Sequence, residues 1–359
     1  MALWDLEEFQ PPNLLPFVRM QPTPAEFQAQ RWLPFQTTDD LNFEYIKGSR
    51  NRTVMAHVMG FDSEAPIAGR QAGGSRVTGE LPPIKRKSRI GEKEIIKFLT
   101  PRPGSGEAQA AVNQTYRDMV DLINSIFARV EWLSIKALSE PTVMYDEADV
   151  IFEFDFGLNK DFLIDGVTKK NANGDTVPGL GGSWENHATS TPVTDLAQQA
   201  QYIRRLTGQY PAEFVIDSDS IEHAKASEEL RLLARGENGL PGILTQGEID
   251  SVFARYSIPT LVAYDAFVTR EEEDGTLVDE QVLTPGRGFF APSRPVGNVL
   301  WGPTAESRAL IGTALQSQAP GIFVNTYNTN EPVAEWIKAA AVAFPTMPNA
   351  HVIGQFKVR

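Results

Sequence analysis

The chain contains no cysteine. That absence excludes disulfides, thiolate metal sites and cysteine nucleophiles together, so stability has to come from packing and from association. No apolar run approaches the ~20 residues that a bilayer span needs, and no membrane contact is expected. The opening residues, MALWDLEEFQPPNLLPF, lack a positive stretch followed by an apolar one. No secretory signal is therefore expected, and synthesis would end in a cytoplasm. Histidine is scarce: His57, His187, His223 and His351 are far apart, and none has HExxH or HxH spacing with a nearby carboxylate. A GxxxxGK[ST] phosphate loop and a GxSxG elbow are both missing. Positive charge is in deficit, with 33 Lys and Arg against 46 Asp and Glu, a net charge of −13. Such a chain repels nucleic acid in bulk, which disfavours sequence-specific DNA reading.

What is present is ordinary for a folded protein. Hydrophobic residues make up 42% of 359 residues, enough for two or three structural units. The charge is uneven. Residues 84–97 carry Lys85, Arg86, Lys87, Arg89, Lys93 and Lys97 against Glu92 and Glu94, a local +4. Residues 1–46 carry seven acids against Arg19 and Arg31, a local −5. These are either two solvated surfaces or complementary surfaces that meet between copies of the chain.

Prolines 11, 12, 16, 22, 24 and 34 are expected to break any regular element in residues 1–46. Yet Trp4, Phe9, Phe17, Phe27, Trp32, Phe35 and Phe43 lie among them, and a disordered tail would be poor in aromatics. The segment reads as an extended arm ordered by lying on another surface. TVMAHVM (53–59) reads as a strand, residues 60–83 are polar and glycine-rich, and Ile84 begins a second strand-like piece. EIIKFL (94–99) is a third apolar piece. Strand-like ends around a glycine-rich tip describe a long hairpin-like excursion, which alone is marginal in water and calls for a partner surface.

Residues 107–140 give the strongest local signal. Val112, Tyr116, Met119, Ile123, Ile126, Val130, Leu133 and Ala137 recur at spacings of 4 and 3, with no Gly or Pro between them and Pro141 at the end. The spacing predicts one helix of about 50 Å. A coiled coil is the alternative, but no other segment supplies a matching heptad. TVMYDEADVIFEFDFG then alternates as a hairpin, with Val150, Phe152, Phe154 and Phe156 on one face. Long helix followed by hairpin predicts a helix packed across a sheet.

From residue 158 the pattern changes to loops, then to alternating helices and strands. Residues 194–208 read as a helix with Asp195 and Gln198 at capping-box spacing and Gly208 at the stop. Strands are expected at 213–217, 260–268, GRGFFAPS and GNVLWGP, and helices at 220–235 (one or two) and 247–256. The last strand-like piece, with Val352, Phe356 and Val358 on one face, is expected to return to the first sheet. Three stretches invite chemistry. GLGGSW resembles a phosphate cradle only in its glycines. DSDS (217–220) and EEED (271–274) suit a hard cation, but a helix cap explains the first and a turn the second. No catalytic residue, metal site or cofactor is expected.

The order of these parts, with FDSEAP (61–66), ELPPIKRKSRI (80–90), YDAFVTREEEDGTLVDEQVLTPGRGFFAPS, LWGPTAES and EWIKAAAVAFPTMPNAHVIGQFKV, resembles the major capsid proteins of tailed bacteriophages. The likeness is to the lambda-type group, the major capsid protein E family, which has the Hong Kong 97 fold. It covers the chain from about residue 53. Residues 1–50 and 158–190 match it least. The resemblance implies an α+β fold with an N-terminal arm (1–52), an E-loop (53–103), a P-domain spine helix and β-hairpin (104–157), an inserted A-domain (158–325) and a C-terminal return to the P-domain (326–359). It implies subunit contacts through the E-loop residues Phe61, Asp62, Glu64, Pro66, Arg70, Arg76, Ile84, Lys85, Arg86, Lys87 and Arg89. Further contacts would come from the arm residues Trp4, Phe9, Phe17, Trp32 and Phe35. Spine-helix packing would fall to Val112, Tyr116, Met119, Ile123, Ile126, Val130 and Leu133.

By the same resemblance the chain is a structural protein, not an enzyme. It would assemble in the host bacterial cytoplasm as hexamers and pentamers of an icosahedral virion shell around double-stranded DNA, touched non-specifically. A separate scaffolding protein, a portal and a decoration protein would be its partners. Two other readings stay open on sequence alone: an encapsulin-type compartment enclosing enzymes, and a soluble enzyme with a mixed α/β domain.

Overall fold

The computed structural model describes residues 9–46, 76–99, 106–147, 150–158, 162–164, 168–170, 176–237, 244–272, 274–309, 321–331 and 333–358. The chain opens with helix α1 (Pro11–Met20) and short strands β1 (Phe35–Thr37) and β2 (Asn42–Ile46). Strands β3 (Arg76–Glu80) and β4 (Pro83–Gly91), helix α2 (Glu92–Leu99) and the long helix α3 (Gly106–Ser139) follow. Next come β5 (Thr142–Glu147), β6 (Val150–Asp155) and the very short β7 (Leu163–Ile164), β8 (Lys169–Lys170) and β9 (Thr176–Val177). Then come α4 (Pro192–Thr207), β10 (Glu213–Ile216), α5 (Ser218–Lys225), α6 (Glu228–Arg235) and α7 (Gln246–Tyr256). After them run β11 (Thr260–Ala263), β12 (Phe267–Glu271), β13 (Leu277–Gln281), β14 (Arg287–Ala291) and β15 (Asn298–Gly302). The chain finishes with α8 (Ala305–Arg308), β16 (Phe323–Asn330), β17 (Val333–Thr346) and β18 (Gly354–Lys357).

These elements form two compact units. The first takes the chain up to Phe43, Thr78–Ser134 and Asn298–Thr346; the second takes Glu44–Val77, Ile135–Gly297 and the chain from Met347. The first unit is built around β17. On one side β17 pairs antiparallel with β16 over Val333–Ala340 and with β15 over Val342–Thr346; on the other it pairs with β4. β1 extends the sheet beside β15. Because both edges of β17 are paired and nearly all its residues are buried, it can be a strand despite the helix-favouring run Ala339–Ala341. Helix α3 presents Met119, Leu122, Ile123, Ile126 and Val130 as a buried face, and Phe127 meets Phe35 at 6.3 Å and Trp301 at 6.2 Å between ring centroids.

The second unit holds a five-stranded sheet in the order β11-β10-β14-β18-β7. Its core is aromatic: Phe214, Phe290, Phe356 and Trp184 are fully buried, with Phe214 and Phe290 centroids 4.6 Å apart. Helix α4 lays Leu196, Ala200 and Ile203 on the same cluster, and Gly208 ends it in the left-handed conformation at φ 81°. Gly354 lets the backbone approach α4 closely, since a Cβ there would stand 2.6 Å from Ile203 Cδ1 and would make that side chain shift.

Several expectations need correction. The proline-rich arm is not devoid of regular structure: α1 starts on Pro11 and Pro12, where the missing N–H groups cost nothing. Burial of Leu14, Leu15 and Val18 offsets the interior Pro16. EIIKFL is helical, with Glu94 accepting from the Gly91 N–H at 3.1 Å. GNVLWGP supplies β15 to the first unit's sheet, and the terminal strand β18 pairs in the second unit, so β17, not the last strand, returns to the first sheet. β5 and β6 pair with each other and with no third strand among the described residues. Residues 220–235 form two helices because Ser227 caps the second. Residues 260–268 are split at Tyr264–Ala266, where Asp265 accepts from the Ser218 N–H and hydroxyl.

Candidate assembly surfaces

Strand β4 is the most unusual surface of the first unit. It runs antiparallel along β17 from Pro83 opposite Val342 to Gly91 opposite Ala334, and it has no second partner strand among the described residues. Lys85, Arg86, Lys87 and Arg89 are exposed on it, Ile84 is half-buried and Ile90 is buried. Alternation puts Lys85, Lys87 and Arg89 on one face. There Lys87 Nζ sits 4.6 Å and Arg89 Cζ 5.9 Å from the centroid of the Trp336 ring. Trp336 is held by stacking on Tyr327 at 6.1 Å and by donating to Thr329 Oγ1 at 3.2 Å. A row of cations on an edge strand prevents two such edges from pairing with each other and favours an acidic partner.

Arg76, at the start of β3, pairs with Glu44 of β2, and both side chains are exposed. Phe61, Asp62, Glu64, Pro66, Arg70 and the strand expected at 53–59 lie outside the described residues, as does Trp4. The other arm residues have contacts within this chain, and Phe17 and Phe35 stay half-buried. Phe9 and Trp32 are buried, and Phe9 and Phe17 pack on Tyr116 of α3 at 5.4 and 4.8 Å. Phe35 lies edge-on to Trp301 at 5.3 Å. On α3 itself Met119, Ile123, Ile126, Val130 and Leu133 are buried, while Val112 and Tyr116 are half-buried.

Glu131 was not singled out in the sequence, yet it fixes the arm. It is 5% exposed, and its Oε1 accepts the Gln28 and Ala29 N–H groups at 2.8 and 2.9 Å, at the start of a short 3₁₀ turn. The only available signal was an acid flanked by the apolar positions Val130 and Leu133. His187 and His223 also come together, Nε2 to Nδ1 at 3.0 Å, across 36 residues with no motif to announce it.

The stretches that invited chemistry are used internally. Asp217 of DSDS is the cap of α5, accepting from the Ser220 N–H and hydroxyl and from the Gly286 N–H. EEED leads into the β12–β13 turn. In GLGGSW the Gly181 N–H and the Trp184 indole donate to the two oxygens of Asp195, so a carboxylate already occupies the place of an anion. Asp195 is therefore no cap. The first turn of α4 is capped by Glu229, which accepts from the Val193 and Thr194 N–H groups. Burial pushes the Asp195 carboxyl up to about 6, against the opposing pull of its hydrogen bonds from Gly181, Trp184 and Thr191. Among the described residues no group of three or more potential ligands gathers around a metal site, and no helix is long and apolar enough to cross a membrane.

No curated protein matches the chain. Among solved structures it is similar to one described as a prophage capsid protein of Escherichia coli CFT073, at 16% identity over 100% of both chains with a TM-score of 0.62. It is also similar to a phage-related protein of Bordetella bronchiseptica RB50, at 12% identity over 97% of this chain and 96% of that one, with a TM-score of 0.51. Residues 13–358 match the family model described as phage major capsid protein E. With sequence match and fold in agreement, the chain belongs to the phage major capsid protein E family, a structural protein of the virion capsid with the Hong Kong 97-type α+β fold.

Proposed function

We propose that the chain assembles into hexamers and pentamers that close an icosahedral shell around packaged double-stranded DNA. The observation that carries this reading is the family match over residues 13–358. The cationic strand β4, which has no second partner strand among the described residues, supports it as a surface for another chain to complete. In this reading residues 53–103 are the E-loop laid over a neighbouring subunit, and the second unit supplies the A-domain around the ring axes. A shell of this kind needs many individually weak contacts, so that misplaced subunits dissociate during growth and the closed lattice is held by multivalency. The net charge of −13 suits non-specific, loosely held DNA. Assembly takes place in the host cytoplasm with a separate scaffolding protein, a portal and a decoration protein as partners.

Deleting residues 54–75 tests the reading. The full chain should sediment as shells whose contents include nuclease-protected double-stranded DNA in an infected host. The deletion should leave a folded subunit that stays small. Shells that form equally well without the segment would contradict the E-loop role, and particles filled with protein cargo and no DNA would contradict DNA enclosure.

A further inference from the structure

The second unit carries a cleft of about 700 Å³ lined by three arginines. Arg204 and Arg205 come from the last turn of α4, and Arg255 from the last turn of α7. Tyr210 and Tyr256 stand beside them. The Tyr210 hydroxyl donates to the carbonyl of Ser257, which takes the left-handed conformation at φ 52°, and so ties the two helix ends together. Arg205 also lies 5.3 Å from the Tyr202 ring. None of the three guanidinium groups is paired with a carboxylate among the described residues, in a chain whose acids outnumber its bases by 13. Helix C-termini favour cations by themselves, but that does not account for two tyrosines and three guanidinium groups around one hollow.

The same unit carries a surface of opposite character. Strands β12 and β13 pair only with each other among the described residues, and a two-stranded hairpin is marginal alone. Its register sets Phe267 opposite Gln281, Thr269 opposite Asp279 and Glu271 opposite Leu277, so these residues share one face. On that face Phe267 is 58% and Leu277 65% exposed, and Glu271 and Asp279 are exposed as well. On the opposite face Glu280 lies 3.8 Å from Lys136, and Val278 is 40% exposed. An exposed face of two large apolar and two acidic side chains complements a cleft of tyrosines and arginines in apolar character and charge.

We propose that the β12–β13 hairpin of one copy docks into the arginine cleft of a second copy. Glu271 and Asp279 meet Arg204, Arg205 and Arg255, while Phe267 and Leu277 cover Tyr210 and Tyr256. Donor and acceptor surfaces differ, so the contact is head-to-tail and generates rings when the rotation closes. The inference rests on the shell reading and adds the residues that hold a ring together. Carboxylates are favoured over nucleic-acid phosphates as the occupant because phosphates would leave the apolar half of the hairpin uncovered.

The test is charge reversal in the full chain. Arg204→Glu with Arg255→Glu alters the cleft, and Glu271→Lys with Asp279→Lys alters the hairpin. All four positions are exposed, so melting temperatures should stay near that of the parent chain. Each pair alone should lower the assembled fraction at least tenfold in sedimentation. All four reversals in one chain should restore assembly, and a mixture of the two single-surface variants should give even-membered rings only. Single-surface variants that assemble like the parent, or a four-fold variant that fails to recover, would overturn the pairing while leaving the shell reading intact. Cleft variants that assemble normally but retain less DNA would assign the arginines to nucleic acid and likewise overturn it. A parent chain that never assembles would overturn the shell reading and the pairing together.

Discussion

The two five-stranded sheets solve the same packing problem with different material. The second unit's sheet is filled by large rings: Phe214, Phe290, Phe356 and Trp184 interlock beneath α4. Its buried acids are met by donors, Asp217 by Ser220 and Gly286, and Asp195 by Gly181, Trp184 and Thr191. The first unit's sheet is built around β17, with its buried run Ala339, Ala340 and Ala341, and among the described residues one of its edges is the cationic strand β4. Aromatic cores specify one arrangement by shape and complete themselves. A strand with a run of small buried side chains is held by pairing along its length, and among the described residues its neighbour β4 has no second partner strand. In the proposed shell, the difference separates what folds a subunit from what joins subunits.

Phe290→Ala removes a ring at the centre of the second unit's core and should cost about 3–5 kcal/mol, read as a lower urea midpoint. An unchanged midpoint would mean that the rings do not carry that unit. Glu131→Ala leaves the Gln28 and Ala29 N–H groups without their carboxylate. It should cost about 2–3 kcal/mol and make residues 9–33 the first site of protease cleavage.

The Asp195 carboxyl has a folded pKa of about 6, above its ordinary value of 3.8. The folded state therefore binds the proton more tightly than the unfolded state. Stability from this group is fully present below about pH 4 and is lost as pH rises through 6, by roughly 2–3 kcal/mol. Urea melts across that window should show the decline, and Asp195→Asn should flatten it. The smallest effect belongs to the edge: Lys87→Ala removes a cation from the Trp336 face and should cost about 0.5–1 kcal/mol in the subunit. If β4 is an assembly surface, the same substitution should matter more to shell yield than to subunit melting.

Much of this was legible because local signals agreed with the fold. Helix α3 stands out by 3–4 spacing unbroken by Gly or Pro, and β5–β6 by alternation. α4 stops where Gly208 says it should. Legibility failed where tertiary contacts override local preference. α1 looks forbidden by its prolines, yet its apolar face is buried. β17 contains a run of good helix formers and is a strand only because partners lie on both edges. Asp195 has capping spacing but points its carboxylate at a loop 11–14 residues away. For the assembly surfaces, the basic character of residues 84–97 was visible. The packing of Phe9 and Phe17 on Tyr116, the Glu131 clamp and the arginine cleft were not, because each depends on residues far apart in sequence.

The central claim, that a self-sufficient fold carries surfaces completed only by further copies, is tested most directly by negative-stain electron microscopy with sedimentation of the full chain. It should be expressed alone and with its neighbouring genes. Closed shells, or rings of five and six, are the predicted result. A homogeneous monomer or dimer that persists with those genes present would contradict it.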